Sequence, residues 1–215
     1  MITDVDVLNN VTIKKAEAIN KELISQIVDI HMATFPGFFL TFLGKGFLRQ
    51  MYTAYVHHEA SDLLVASEGN TVIGFLAYSK HLSGLYKHMI KKSFIPFAWY
   101  SLGAFVRKPK VFMRLVRALL KPGETAREEK FVLVTSIGVS PVHKGKGIGS
   151  LLLDALKTSI DFSTYQYISL ETDAINNEAA IQFYLKNGFC LVKEFETREG
   201  RKMHEYQYAG AVGTV

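Results

Sequence analysis

Along the chain, apolar residues switch between runs, pairs at three- and four-residue spacing, and polar breaks, and these switches predict its elements. Val11–Lys15 (VTIKK) predicts a short first strand. From Lys21 onward, Leu23, Ile24, Ile27, Ile30 and Met32 recur close to helical spacing. The FPGFF break follows, and residues 39–56 resume a largely helical pattern. LLVASEGNTVIGFLAYS, from Leu63, predicts two strands turning at Glu68–Gly69–Asn70. Residues 84–122 then predict helical pieces broken at Pro96 and Pro109, followed by a polar loop, PGETAREEK.

The pattern sharpens in the second half. FVLVTSIGV (131–139) predicts a buried strand, and Ile148, Leu151, Leu152, Ala155 and Leu156 fall on one helix face. YQYISLETD (165–173) predicts the next strand, so these three elements form a βαβ crossover with a parallel pair. A second helix is expected from about Glu178 to Lys186, with Gly188 as its left-handed cap. A closing hairpin should turn at Arg198–Glu199–Gly200. Together these predict an α/β fold, a mixed sheet with helices on its faces.

Composition narrows the class. The 215 residues suit one domain, spanning 1–215, with an insertion at 84–128. The chain is 48% hydrophobic and 21% charged, which excludes a disordered protein. Its single cysteine, Cys190, cannot form an internal disulfide. The N-terminus lacks the pattern of a signal peptide, and a cytoplasmic protein is expected. The net charge of +5 is unevenly placed: no acid occurs between Glu68 and Glu124, while Lys and Arg recur there. That asymmetry suits either an anionic partner or a solvated basic face. The bulky aliphatics interleaved with those bases argue against a nucleic-acid groove.

The stretch SPVHKGKGIGSLLLDAL (140–156) carries the candidate chemistry. Gly145, Gly147 and Gly149 have no β-carbon to block a ligand, and a helix starting near Gly147 presents unpaired N–H groups. Those donors and the positive helix end suit a phosphate, with Lys144 and Lys146 adding charge. Neither the Walker loop nor the dinucleotide fingerprint is matched by G-K-G-I-G-S.

IGVSPVHKGKGIGSLLLDAL resembles the acetyl-CoA motif of the GNAT superfamily of N-acetyltransferases, with Lys144 at the usual Gln/Arg position. NEAAIQFYLKNGF (177–189) resembles that family's following motif. The resemblance implies a mostly antiparallel central sheet, helices on both faces and a βαβ unit binding acetyl-CoA as co-substrate, without a metal. It implies that Ile137, Gly138 and Val139 pair with the pantetheine arm and polarise the thioester carbonyl. Lys144, Gly145, Lys146, Gly147, Ile148, Gly149 and Ser150 would hold the pyrophosphate. Tyr184 would protonate the departing thiolate, and Asn177 would contact the cofactor or hold its loop, a helix N-cap being the plain alternative.

The acceptor would be a small-molecule or peptide primary amine, which must lose a proton before attack. Glu171 lies where some relatives that acetylate protein N-termini carry a base, and His31, acting through water, is a second candidate. FPGFFLTFLGKGFL occupies the region that shapes the acceptor side in such relatives. Two other classes are open: a CoA-binding module without turnover, and a peripheral membrane protein that uses 84–122. A homodimer is a further partner expectation.

Overall fold

The computed structural model describes residues 10–16, 20–91, 129–197 and 200–210. The chain begins with strand β1 (Val11–Lys15) and helix α1 (Lys21–Thr34). Asn20 starts α1 with a side-chain oxygen that accepts from the N–H groups of Glu22 and Leu23, meeting two of the helix's orphan donors. The helical pattern over 39–56 forms two pieces, α2 (Phe39–Phe42) and α3 (Gly44–His57). The break falls at Leu43–Gly44, where Gly44 takes a φ of 87° and Leu43 is buried.

Strands β2 (Ser61–Glu68) and β3 (Thr71–Ser79) form the expected hairpin. The first part of the basic segment is helical over residues 82–91 (α4); the rest of it lies outside the described residues, as do Arg198 and Glu199. β4 (Phe131–Val139), α5 (Ile148–Ser159) and β5 (Tyr167–Asp173) make the crossover, β5 starting two residues later than its apolar run. Helix α6 (Glu178–Lys186) and hairpin β6 (Cys190–Glu196)–β7 (Lys202–Tyr208) complete the order. Gly188, just past α6, has the left-handed φ of 79° expected of its cap.

Among the described residues seven strands form one sheet, in the order β1-β2-β3-β4-β5-β7-β6. Only β4–β5 is parallel among the neighbouring pairs, so the sheet is mixed and mostly antiparallel. Both faces are covered. On one, α1 and α3 bury Leu63, Val65, Phe75 and Ala77. On the other, α5 buries Leu64, Ala66, Ile73, Leu76, Val132 and Ile168. This double burial explains why β3 reads as a continuous apolar run rather than an alternation. No helix among the described residues is long and apolar enough to cross a membrane.

Leu152 of α5 is fully buried in the second of these layers. Leu152→Ala should therefore lower unfolding stability by about 2–5 kcal/mol, read from the urea midpoint.

Candidate active site

The sheet opens at its centre. β4 and β5 pair only from Phe131↔Tyr167 to Val134↔Leu170, although β4 runs on to Val139 and β5 to Asp173. On its other side β4 stays paired with β3 as far as Gly74↔Val139. Among the described residues, 135–139 thus have one bonded edge and one edge without a strand partner. The Ser140 N–H donates to Ile73 O, toward β3. Because successive N–H groups along a strand face opposite edges, the N–H groups of Val139 and Ile137 face the opening, and that of Gly138 faces β3.

Gly138 therefore serves in a different way from its neighbours. A β-carbon there would lie 2.8 Å from Phe75 Cε1 and 3.5 Å from Phe35 Cε2. Its bare backbone lets two aromatic rings close under the tip of β4. The Thr34 hydroxyl, donating to Val139 O at 3.2 Å, ties the end of α1 to the same tip.

Beyond β4 the chain makes a short 3₁₀ turn, Pro141–His143, and enters the glycine loop. Gly145 and Gly147 have φ of 83° and 81°, which L side chains rarely adopt. Gly147 is the N-cap of α5 and supplies no side-chain cap. The first bond of α5 runs from the Leu151 N–H to Gly147 O, so the N–H groups of Ile148, Gly149 and Ser150 have no acceptor within the helix. With no acid in that first turn, the helix start is positive and suits an anion. Lys144 and Lys146 stand beside it, Lys144 exposed and Lys146 half-buried. The third glycine works otherwise than expected: a β-carbon on Gly149 would meet Phe183 Cζ at 3.0 Å. Gly149 makes room for α6 rather than for a ligand.

Phe183 precedes Tyr184, which is 9% exposed and packs among Phe183, Phe189 and Tyr206. Burial pushes the Tyr184 phenol up to about 12, so it is protonated at neutral pH. Asn177 occupies the N-cap of α6 without capping it. Its Nδ2 instead donates to Thr172 Oγ1 at 2.6 Å and Asp173 O at 3.0 Å, fastening α6 to the end of β5. The neighbouring Asn176 holds a φ of 54°.

Glu171 is exposed on β5, directly opposite Glu205 of β7. Ile168 and Leu170 enter the α5 core, so by alternation Ser169 and Glu171 take the face shared with α1 and α3. On that face the buried Glu205 carboxylate accepts from Ser169 Oγ at 2.8 Å and Gln207 Nε2 at 3.0 Å.

His31 does not suit the role of base. It is 3% exposed, its Nδ1 lies 2.6 Å from the Tyr52 hydroxyl, and its buried Nε2 has no partner. Burial lowers its pKa to about 4, far below the roughly 10 of a primary amine. Its contacts reveal a group that the pattern along the chain did not single out. Tyr52 OH is 3.5 Å from Ser136 Oγ, and Tyr55 OH is 2.6 Å from Thr135 Oγ1. The one sequence signal for it is a pair of tyrosines three residues apart on the apolar face of α3. Among the described residues no group of three His, Cys, Asp or Glu side chains has the geometry of a metal site.

The family model for the acetyltransferase (GNAT) family matches residues 24–189, which takes in the open edge, the glycine loop and α6. The chain belongs to the GNAT family. Solved structures share the fold at low identity. NAA60 of Arabidopsis thaliana, solved in complex with acetyl-CoA, is 17% identical, with TM-score 0.56 over 92% of this chain and 97% of that one. The yncA protein of Salmonella typhimurium, solved with its cofactor acetyl-CoA, is 16% identical, with TM-score 0.56 over 96% and 98%. A GNAT-family acetyltransferase of Bacillus cereus is 16% identical, with TM-score 0.55 over 93% and 97%. No curated protein matches the sequence significantly.

In this GNAT chain the neutral His31 links stability to pH. Its folded pKa, about 4, lies below the 6.5 of the exposed side chain, so the unfolded chain binds the proton first. The stability held by the neutral ring is complete above pH 6.5 and is lost as pH falls toward 4, by about 3 kcal/mol at pH 4. Urea titrations at pH 8, 5 and 4 should show a shallower loss for His31→Gln than for the wild type over that window.

Proposed function

We propose that the whole chain is one acetyltransferase domain that moves an acetyl group from acetyl-CoA to a primary amine by direct attack in a ternary complex. The observation that carries this is the open edge of β4 running straight into the uncapped start of α5. An extended pantetheine arm supplies the missing strand along 137–139, and the pyrophosphate meets the N–H groups and lysines of 144–150. The acetyl-CoA complexes of NAA60 and yncA, which share the fold, support the cofactor.

The chemistry then follows from fixed donors. As the amine nitrogen attacks the thioester carbon, negative charge gathers on its oxygen, and an N–H of the β4 edge stabilises it without reorganising. Collapse of the tetrahedral intermediate breaks the carbon–sulfur bond, the thiolate takes the Tyr184 proton, and the extra proton left on the amide nitrogen goes to solvent, from which the phenolate is protonated again. A phenol near 12 is a weak acid, but the apolar surroundings that raise it also raise the thiol beside it. Asn177 holds the loop between Tyr184 and β5. The ammonium of the acceptor must first lose a proton, at a cost on the order of 4 kcal/mol near neutral pH. Glu171, exposed on the acceptor face, takes that proton directly or through water. Phe38, 47% exposed and packed edge-on against Phe35, gives the acceptor side an apolar rim.

Two variants test the assignment. Gly147→Glu places a charged side chain at a left-handed position against the anion and should abolish acetyl-CoA binding by calorimetry; unchanged affinity in the folded variant sinks the cofactor site. Tyr184→Phe should lower turnover by roughly 10²-fold with cofactor affinity nearly unchanged, in an acceptor screen read by thiol release. Wild-type turnover there would assign the proton to another group.

A further inference from the structure

β4 carries a bulge at the point where it leaves β5. Ala77 pairs with Ser136 and Tyr78 with Val134, so Thr135 is the extra residue. A bulge turns two successive side chains to one side, and both Thr135 and Ser136 reach α3. The Thr135 hydroxyl donates to Ala77 O at 3.1 Å, so its oxygen accepts from the Tyr55 hydroxyl at 2.6 Å. The Tyr52 hydroxyl bridges Ser136 Oγ at 3.5 Å and His31 Nδ1 at 2.6 Å.

The rings cannot swing away. Tyr52 is fully buried, edge-on to Phe75 at 5.2 Å, and Tyr55 is buried beside it. Phe75 in turn fills the space that a side chain at Gly138 would take. Tyr55 and Tyr52, the latter backed by His31, therefore hold consecutive residues of β4 just before Ile137, whose N–H faces the opening.

We propose that Tyr55 and the His31–Tyr52 pair are positioning residues, fixing the Thr135–Ser136 bulge and through it the aim of the Ile137 and Val139 N–H groups at the thioester carbonyl. The inference rests on the placement of acetyl-CoA along that edge. A strand tip with one free edge and no such anchor would twist, and a hydrogen bond to a carbonyl weakens steeply with misalignment. None of the three touches the reacting atoms. Their effect is on the carbonyl's polarisation rather than on the affinity for the nucleotide end, which the α5 loop holds.

The test is isotope-edited infrared spectroscopy of acetyl-CoA labelled with carbon-13 at the carbonyl, bound to the full chain without acceptor. In the wild type the carbonyl stretch should move to lower wavenumber than in free acetyl-CoA. Tyr55→Phe and Tyr52→Phe should each lose most of that displacement and about tenfold in kcat, with calorimetric affinity within about twofold of wild type. Thr135→Val should behave like Tyr55→Phe, whereas Thr135→Ser, which keeps the hydroxyl, should restore the shift. This pair covers the case in which loss of a buried tyrosine hydroxyl prevents folding. An unchanged carbonyl stretch in Thr135→Val, or in Tyr55→Phe or Tyr52→Phe where these bind acetyl-CoA, overturns the positioning role and leaves the cofactor site standing. Absence of acetyl-CoA binding to the wild type removes the cofactor site and this inference with it.

Discussion

The structure depends on a pairing that stops. β4 and β5 hydrogen-bond for four residues, and then both strands continue apart. Backbone donors without partners are costly when shut away from water, so a sheet opened at its middle must either admit solvent or receive a guest with matching acceptors. The rest of the molecule keeps that opening from closing. β3 holds the far edge of β4, Asn177 fastens α6 to the end of β5, and Thr34 ties α1 to Val139.

Covering helices divide the labour between the two faces. α5 and α6 meet on one face, where the positive helix start and the buried phenol lie along one contact. α1 and α3 cover the other, with the exposed Phe38 at its rim and a buried row of hydroxyls and one imidazole beneath. The first face carries the helix start that suits an anion, and the second carries the apolar rim.

Much of this was legible in the sequence because the signals are local. Strand β4, helix α5, the cap at Gly188 and the loop at Gly145–Gly147 each follow from a period or a backbone conformation that a few residues dictate. What was not legible depends on packing between distant segments. That Gly149 yields to Phe183 and Gly138 to Phe75 cannot be seen in glycine spacing, because a ring arriving from elsewhere in the chain uses the same empty volume as a ligand. The bulge at Thr135 is a matter of register between β3 and β4, and register is invisible until the strands are paired. His31 beside an aromatic break suggested a base, and only its enclosure by Phe35, Tyr52 and Phe75 shows a ring kept neutral.

The contact between Gly149 and Phe183 has a consequence for inheritance of error. The helix that would carry the cofactor's phosphates and the helix that would carry the acid touch with no slack, and the touching ring is bonded through the chain to Tyr184 itself. A single methyl at position 149 would leave the charges, the loop conformation and the phenol itself unaltered, yet press on the Phe183 ring that packs against it. Random substitutions screened for activity alone would therefore mark this glycine as part of the chemistry. Its N–H serves the loop, but its missing side chain is a gauge block that sets the separation of two helices.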